Sequence, residues 1–256
     1  MPNSLLDHPA ISGRYLFPQA RRIPQPFVVQ VEGAELACHR HVSDPNWPTL
    51  VHFHGNGEAV ADYVPMFANA YIGLGLNLLL VEYRDYGDST GEAQLAAMLG
   101  DGEAALHAAA VAPERAIVFG RSIGSLYALE LARRQPNIAG LVLESGIADP
   151  AERFLTYADL EGAGISEEEV QRETRRLFNH QEKLNQYARP LLVLHAEHDS
   201  LVEISHAERN FRWAASGRKR LVRLPRGDHN TIFSANIQQY MDELRDFVES
   251  VFVPQQ

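Results

Sequence analysis

Short apolar runs recur along almost the whole sequence and alternate with longer stretches of mixed composition. Eight runs have the length of strands: 27–31, 35–41, 50–53, 76–81, 116–119, 141–143, 191–194 and 221–224. Most of them are apolar throughout, which is typical of parallel strands buried on both faces of a sheet. The alternation predicts an α/β fold with about eight mostly parallel strands flanked by helices.

The segments around these runs complete the pattern. The first two runs follow a polar, proline-containing N-terminal arm and meet at Gly33, which predicts a hairpin. Helices are predicted over 59–74, 94–111, 122–134, 205–214 and 238–251. Most of these helices would cross over between parallel strands.

Residues 149–189 interrupt the alternation, because they separate two predicted strands by more chain than an ordinary crossover needs. Ser166 precedes three glutamates, a pattern typical of a helix start. We interpret the segment as a small helical cap inserted after the sixth strand, with an extended surface crossover as the alternative. Its larger apolar side chains could line a pocket or pack the cap onto the domain: Phe154, Leu155, Tyr157 and Phe178. Nothing else divides the chain, so residues 1–256 are predicted to form a single domain.

Composition excludes several classes of function. With 23 basic and 33 acidic residues, the formal charge of −10 makes the chain a poor general partner for nucleic acid or anionic lipid. Cys38 is the only cysteine, so no intrachain disulfide can form. The sequence has no signal-peptide pattern at its start and no apolar run of about 18 residues. We therefore expect a cytoplasmic protein without stable membrane insertion.

The strongest chemical signal is the stretch VFGRSIGSLYALELARR. An apolar run leads into Gly120-Arg121-Ser122-Ile123-Gly124, and a helical run follows directly. A sharp turn between strand and helix would hold Ser122 in an unfavourable backbone conformation, and a side chain at Gly120 or Gly124 would collide with the neighbouring strand or helix. The hydroxyl would then project from the carboxyl edge of the sheet. Ser122 is thus the predicted nucleophile, although the same pattern also occurs by chance in ordinary turns.

A serine nucleophile needs a base and a group that orients the base. Asp199 follows the seventh predicted strand and His229 follows the eighth, so the chain order is serine, acid, histidine. We predict that His229 moves the serine proton and that Asp199 holds its imidazole. Rival histidines and acids lie close by in sequence or at other strand ends: His195, His198, Glu197, Asp228 and Glu144.

The stretch after the third strand offers an oxyanion site. It reads His54-Gly55-Asn56-Gly57, in the sequence TLVHFHGNGE. Acyl transfer requires two donors aimed at the developing oxyanion. We predict the backbone N–H groups of Asn56 and Ile123 for this role, with a chance turn as the alternative.

These motifs, read in order, resemble the α/β-hydrolase superfamily. The resemblance rests on HFHGNGE, VEYRDYGDSTG, GRSIGS, HAEHDSLV and GDHN, and it extends from about Phe27 to Val251. The sequence is most similar to compact serine hydrolases with an HGN oxyanion loop, which include esterases, thioesterases and protein depalmitoylases. The resemblance implies no cofactor and no catalytic metal. Asp85 departs from it by standing where relatives often carry glycine, but aspartate tolerates a left-handed backbone.

The motifs together predict a serine hydrolase that cleaves a carboxylic ester through an acyl-enzyme. A thioesterase or amidase, including a protein deacylase, would use the same triad. A non-catalytic homologue that binds an acyl ligand is a further alternative, since fold does not dictate function. The expected partner is a small-molecule acyl ester or thioester. The sequence assigns no role to Arg121 and predicts no oligomeric state.

Overall fold

A single eight-stranded sheet organises the chain in the computed structural model, which describes residues 4–65 and 67–252. The strands are β1 (Phe27–Val31), β2 (Ala34–His41), β3 (Thr49–Phe53), β4 (Asn77–Val81), β5 (Ala116–Arg121), β6 (Gly140–Glu144), β7 (Leu191–Ala196) and β8 (Lys219–Leu224). Their order is β1-β2-β4-β3-β5-β6-β7-β8. The pairs β1–β2 and β2–β4 are antiparallel, and all the others are parallel. The prediction of about eight mostly parallel strands in one sheet is confirmed.

Helices cover both faces of this sheet. They are α1 (Ser12–Tyr15), α2 (Val60–Tyr63), α3 (Phe67–Ile72), α4 (Asp101–Ala108), α5 (Gly124–Arg134), α6 (Pro150–Tyr157), α7 (Glu167–Leu177), α8 (His180–Gln186), α9 (Ile204–Trp213), α10 (Ile232–Ala235) and α11 (Ile237–Phe252). Successive strand residues point to opposite faces, so Leu79 and Val81 join one apolar core while Leu78 and Leu80 join the other. In the part of the chain that the structure describes, no helix is both long and apolar enough to cross a bilayer.

Two predicted helices differ from the observed ones. The stretch 59–74 forms two short helices, α2 and α3, with Pro65 between them. Proline has no amide hydrogen and disfavours a helical conformation in the residue before it. The stretch 94–111 begins with a 3₁₀ turn, Ala97–Gly100, before α4.

The N-terminal arm is structured and joins the sheet to the inserted segment. Its 3₁₀ turn (Leu5–Asp7) and α1 place Leu6 in the core, fully buried. The Ser12 hydroxyl donates to the Leu6 carbonyl at 2.6 Å and accepts from the Leu95 amide at 2.9 Å. The Ser4 hydroxyl donates to Glu173 of α7 at 2.6 Å. The arm is therefore part of the same packed unit as the helices that follow β6.

Three helices, α6 to α8, occupy the segment inserted after β6. Ser166 and Glu169 cap each other at the start of α7, as the acidic helix-start pattern predicts. Phe154 and Phe178 are buried and meet edge to face at 5.7 Å, and Phe154 also packs on Tyr15 at 5.0 Å. These two rings pack the insertion onto the domain. Leu155 and Tyr157 are only partly buried.

Two buried histidines should make the fold sensitive to mild acid. Burial lowers the pKa of both His52, in β3, and His180, in α8, to about 3. The unfolded chain protonates first, at a pKa of about 6.5, so each neutral ring contributes stability above that pH and loses it as pH falls toward 3. Each histidine should lower the free energy of unfolding by about 1.4 kcal/mol for every unit that the pH falls within this window.

Denaturant unfolding between about pH 7 and pH 4 tests this pH dependence in wild type and His52→Phe. The His52 ring stacks on Phe119 at 4.9 Å, so a phenyl ring is a reasonable replacement. We expect the replacement to reduce the pH slope of the unfolding free energy by about one proton. Phe119→Leu is the control, which should lower stability without changing the slope. An unchanged slope in His52→Phe would refute the assignment.

Candidate active site

The turn between β5 and α5 holds Ser122 in a left-handed backbone conformation, with φ of 52°. A Cβ on Gly120 would lie 2.6 Å from the Gly124 carbonyl oxygen, and a Cβ on Gly124 would collide with the Phe53 carbonyl. The positions two residues before and two residues after Ser122 therefore both require glycine. The strand, turn and helix are packed closely enough to hold a strained serine at the carboxyl edge of the sheet.

The structure brings Ser122, His229 and Asp199 into one hydrogen-bonded chain. The His229 Nε2 lies 2.9 Å from the Ser122 Oγ, and its Nδ1 lies 2.7 Å from an Asp199 carboxylate oxygen. The other Asp199 oxygen accepts from the amides of Leu201 at 3.0 Å and Val202 at 2.7 Å. Burial opposes ionisation of Asp199, but the hydrogen bond and charge of His229 lower its pKa overall. All three side chains belong to buried residues.

The rival residues have other contacts. His195 donates from Nε2 to the Val202 carbonyl at 2.7 Å, and the same nitrogen lies 3.5 Å from the Asp199 carboxylate. Glu197 and His198 are exposed. Asp228 accepts three hydrogen bonds within its own turn, and Glu144 is bound by arginine and tyrosine side chains. None of the rival acids is among the hydrogen-bond partners of His229 in the described part of the chain.

The two predicted oxyanion donors follow neighbouring strands, since Phe53 of β3 pairs with Gly120 of β5. The Asn56 side chain is occupied elsewhere: its oxygen accepts from the Phe17 amide and the Tyr86 hydroxyl, each at 3.0 Å, and its nitrogen donates to the Tyr15 carbonyl. Within the described residues, the backbone N–H groups of Asn56 and Ile123 have no hydrogen-bond acceptor.

His54 anchors the start of the same loop. Its Nε2 lies 2.7 Å from Glu82, and its Nδ1 lies 2.8 Å from the Gly55 carbonyl. Burial disfavours a charged ring, but the Glu82 carboxylate outweighs it and raises the pKa of His54. The expected left-handed residue Asp85 has φ of 66°. Aspartate thus occupies the conformation that glycine would otherwise supply.

The sequence interpretation missed an ionic network around Arg121, the last residue of β5. Its Nε donates to Glu58 at 2.8 Å, and its Nη1 donates both to Glu144 at 2.9 Å and to the His229 carbonyl at 3.0 Å. Burial raises the pKa of Glu58, but the Arg121 charge and further donors lower it to about 2. A charged residue at the end of an otherwise apolar strand was the available signal. Its partners are too distant in sequence to be identified from spacing.

Two other kinds of site that the described residues could form are a metal site and a cleft away from Ser122. Among the described residues, no three histidine, cysteine, aspartate or glutamate side chains are arranged to hold a metal ion. A cleft of about 690 Å³ lies away from Ser122, beside α5, α7 and α8. Its cations face carboxylates, with Arg84 bound to Asp101 and Lys183 bound to Glu130. Ser122, Asp199 and His229 are not among the residues that line this cleft.

Comparison with solved structures gives the same fold. The structure is similar to the esterase Pf2001 of Pyrococcus furiosus, with a TM-score of 0.71 and 16% identity over 91% of this chain and 99% of that one. It is also similar to the esterase RhEst1 of Rhodococcus sp. ECU1013, with a TM-score of 0.67 and 21% identity over 88% of this chain and 98% of that one.

Sequence relatives extend over most of the chain. Protein bem46 of Schizosaccharomyces pombe is 27% identical over 235 residues, which are 84% of this chain and 77% of the relative. The uncharacterized protein YfhR of Escherichia coli K12 is 28% identical over 217 residues, 81% of this chain and 72% of the relative. The profile of the prolyl oligopeptidase family matches residues 73–254. The chain is a hydrolase with the α/β-hydrolase fold, and it belongs to the prolyl oligopeptidase family.

Proposed function

We propose that the protein is a serine hydrolase that cleaves a carboxylic ester through an acyl-enzyme. The observation that carries the proposal is the hydrogen-bonded chain from the Ser122 hydroxyl through His229 to Asp199, with contacts of 2.9 and 2.7 Å. Two amides that have no acceptor among the described residues, those of Asn56 and Ile123, lie on the loops next to it. This combination of nucleophile, base and anion donors is what acyl transfer requires.

The proposed reaction has two halves. The Ser122 Oγ attacks the ester carbonyl while its proton moves to the His229 Nε2, and the Asn56 and Ile123 amides bind the oxyanion. The C–O bond to the alcohol then breaks, and His229 returns the proton to the leaving group. Water attacks the acyl-enzyme by the same route, giving the acid and free Ser122.

Asp199 has the role of orienting the base. One carboxylate oxygen faces the His229 Nδ1, and the other is held by the amides of Leu201 and Val202. A carboxylate fixed in this way favours the tautomer with the proton on Nδ1, which leaves Nε2 free to accept the serine proton. Its lowered pKa keeps it ionised as His229 becomes charged.

We further propose that residues 1–256 form one domain in which the insertion, 149–189, caps the site. Phe17 of the N-terminal arm is 46% exposed and donates its amide to the side chain of Asn56. Its ring lies 6.2 Å from that of Tyr157 on α6. An exposed phenyl ring between the oxyanion loop and the insertion supports an apolar acyl group as the substrate's acid part.

Peptide or amide hydrolysis is the second candidate, because the matching family is named for oligopeptidases. The same three side chains would act on an amide, and a thioester would also fit. An amide differs in one step, since its amine leaves only after His229 protonates it.

Substitution of Asp199 tests whether this residue, and not the exposed Glu197 of the same loop, orients His229. We expect Asp199→Asn to lower kcat for a p-nitrophenyl ester by about 10³–10⁴-fold, with a smaller effect on KM, because the amide favours the wrong imidazole tautomer. Glu197→Gln is the matched control and should keep wild-type kcat. Equal losses in both variants, or none in Asp199→Asn, would remove Asp199 from the mechanism.

Substrates with the same acyl chain and different leaving groups test which type of bond is cleaved. We expect a higher kcat/KM for p-nitrophenyl butanoate than for butanoyl p-nitroanilide, because the phenolate leaves without protonation and the amine does not. A thiolate also leaves without protonation, so a higher kcat/KM for the butanoyl thioester than for the ester would favour a thioesterase. Faster cleavage of a prolyl p-nitroanilide than of every ester would favour the peptidase.

A series of p-nitrophenyl esters of increasing acyl length tests where the acyl group binds. Phe17→Ala should weaken the preference for longer acyl chains, and an unchanged preference would place the acyl group elsewhere.

A further inference from the structure

Arg121 connects three parts of the candidate site through one side chain. It precedes Ser122 in the chain and ends β5. Its Nε reaches Glu58 in the loop after β3, and its Nη1 reaches Glu144 at the end of β6. The same Nη1 donates to the backbone carbonyl of His229, in the loop after β8, at 3.0 Å.

The contact with Glu58 extends to the oxyanion loop. The second Glu58 oxygen accepts from the Gly55 amide and from the Tyr63 hydroxyl, each at 2.6 Å. Gly55 immediately precedes Asn56, whose amide is a proposed oxyanion donor. The guanidinium is therefore separated from this donor by one carboxylate and one residue of backbone.

We propose that Arg121 is a positioning residue, whose guanidinium fixes the oxyanion loop and the His229 loop relative to Ser122. This inference rests on the proposed acyl transfer at Ser122. Arginine suits the task because its planar fork directs donors to separate acceptors, whereas lysine presents a compact charge on a flexible stem. The Arg121 side chain is only 10% exposed, so water would not easily replace these contacts.

Stability alone does not account for this arrangement well. One cation faces two carboxylates, Glu58 and Glu144, so the cluster carries a net negative charge at a buried position. Desolvating such groups costs free energy that apolar packing of similar volume would not. A fixed geometry between three loops is the benefit that the contacts supply, and misplacement of about 1 Å at an active site lowers turnover by about 10²-fold.

The test compares variants that fold but lack the connection. Arg121→Met alone leaves two buried carboxylates without their cation, so the main variant is Arg121→Met with Glu144→Gln, which keeps the net charge of the cluster. Arg121→Lys is the conservative variant. Arg84→Met is the matched control, because Arg84 is 11% exposed and forms a bidentate pair with Asp101.

The readout is kcat per site, with sites counted by stoichiometric fluorophosphonate labelling, so that unfolded protein is excluded. We expect the double variant to lose about 10²-fold in kcat per site with a much smaller change in KM, and Arg121→Lys to recover part of it. Arg84→Met should keep wild-type kcat per site even if it unfolds at a lower temperature.

The outcomes separate the two proposals. If the wild type is labelled and the double variant keeps the wild-type kcat per site, the positioning role is overturned and the proposed function stands. Equal losses in the double variant and in Arg84→Met also overturn the positioning role. Failure of folded wild type to be labelled at all overturns the proposed function, and this inference with it.

Discussion

The close approach of α5 to the end of β3 is the constraint on which the site depends. Gly124 packs against the Phe53 carbonyl so tightly that no Cβ fits, and Gly120 is equally confined on the other side of the turn. Parallel pairing of β3 with β5 sets both contacts, because Phe53 lies opposite Gly120. The strained Ser122 between them is held by packing that extends through the sheet. The same contacts bring the helix start next to the loop that contains Asn56.

Charge at this sheet edge is arranged in two separate systems. Asp199 and His229 form the proposed catalytic pair, and their hydrogen bonds lead to the serine hydroxyl. Arg121, bound to Glu58 and Glu144, forms the other system and contacts His229 only through the backbone carbonyl of that residue. In the proposed mechanism the first system exchanges a proton with the substrate, while the second does not. This division lets a polar, buried edge combine reactivity with a rigid geometry.

Sequence pattern was sufficient for the fold and for the residues that the site brings together. Buried parallel strands produce uninterrupted apolar runs, and chemistry at the strand ends follows those runs directly. Short elements were missed, as with α1 and α10, because four residues carry too little periodicity. The partners of Arg121 were also unpredictable, since Glu58 and His229 lie 63 and 108 residues from it. Such contacts depend on strand order, which spacing does not encode.

The most direct test of the account is to map the residue that a fluorophosphonate modifies. Folded wild-type protein should gain one phosphonyl group, and peptide analysis should place it on Ser122. Ser122→Ala should gain none, and prior incubation with a slowly hydrolysed ester should slow the labelling of wild type. Modification at another residue, or no modification of folded wild-type protein, would contradict an activated Ser122 and the acyl-enzyme mechanism with it.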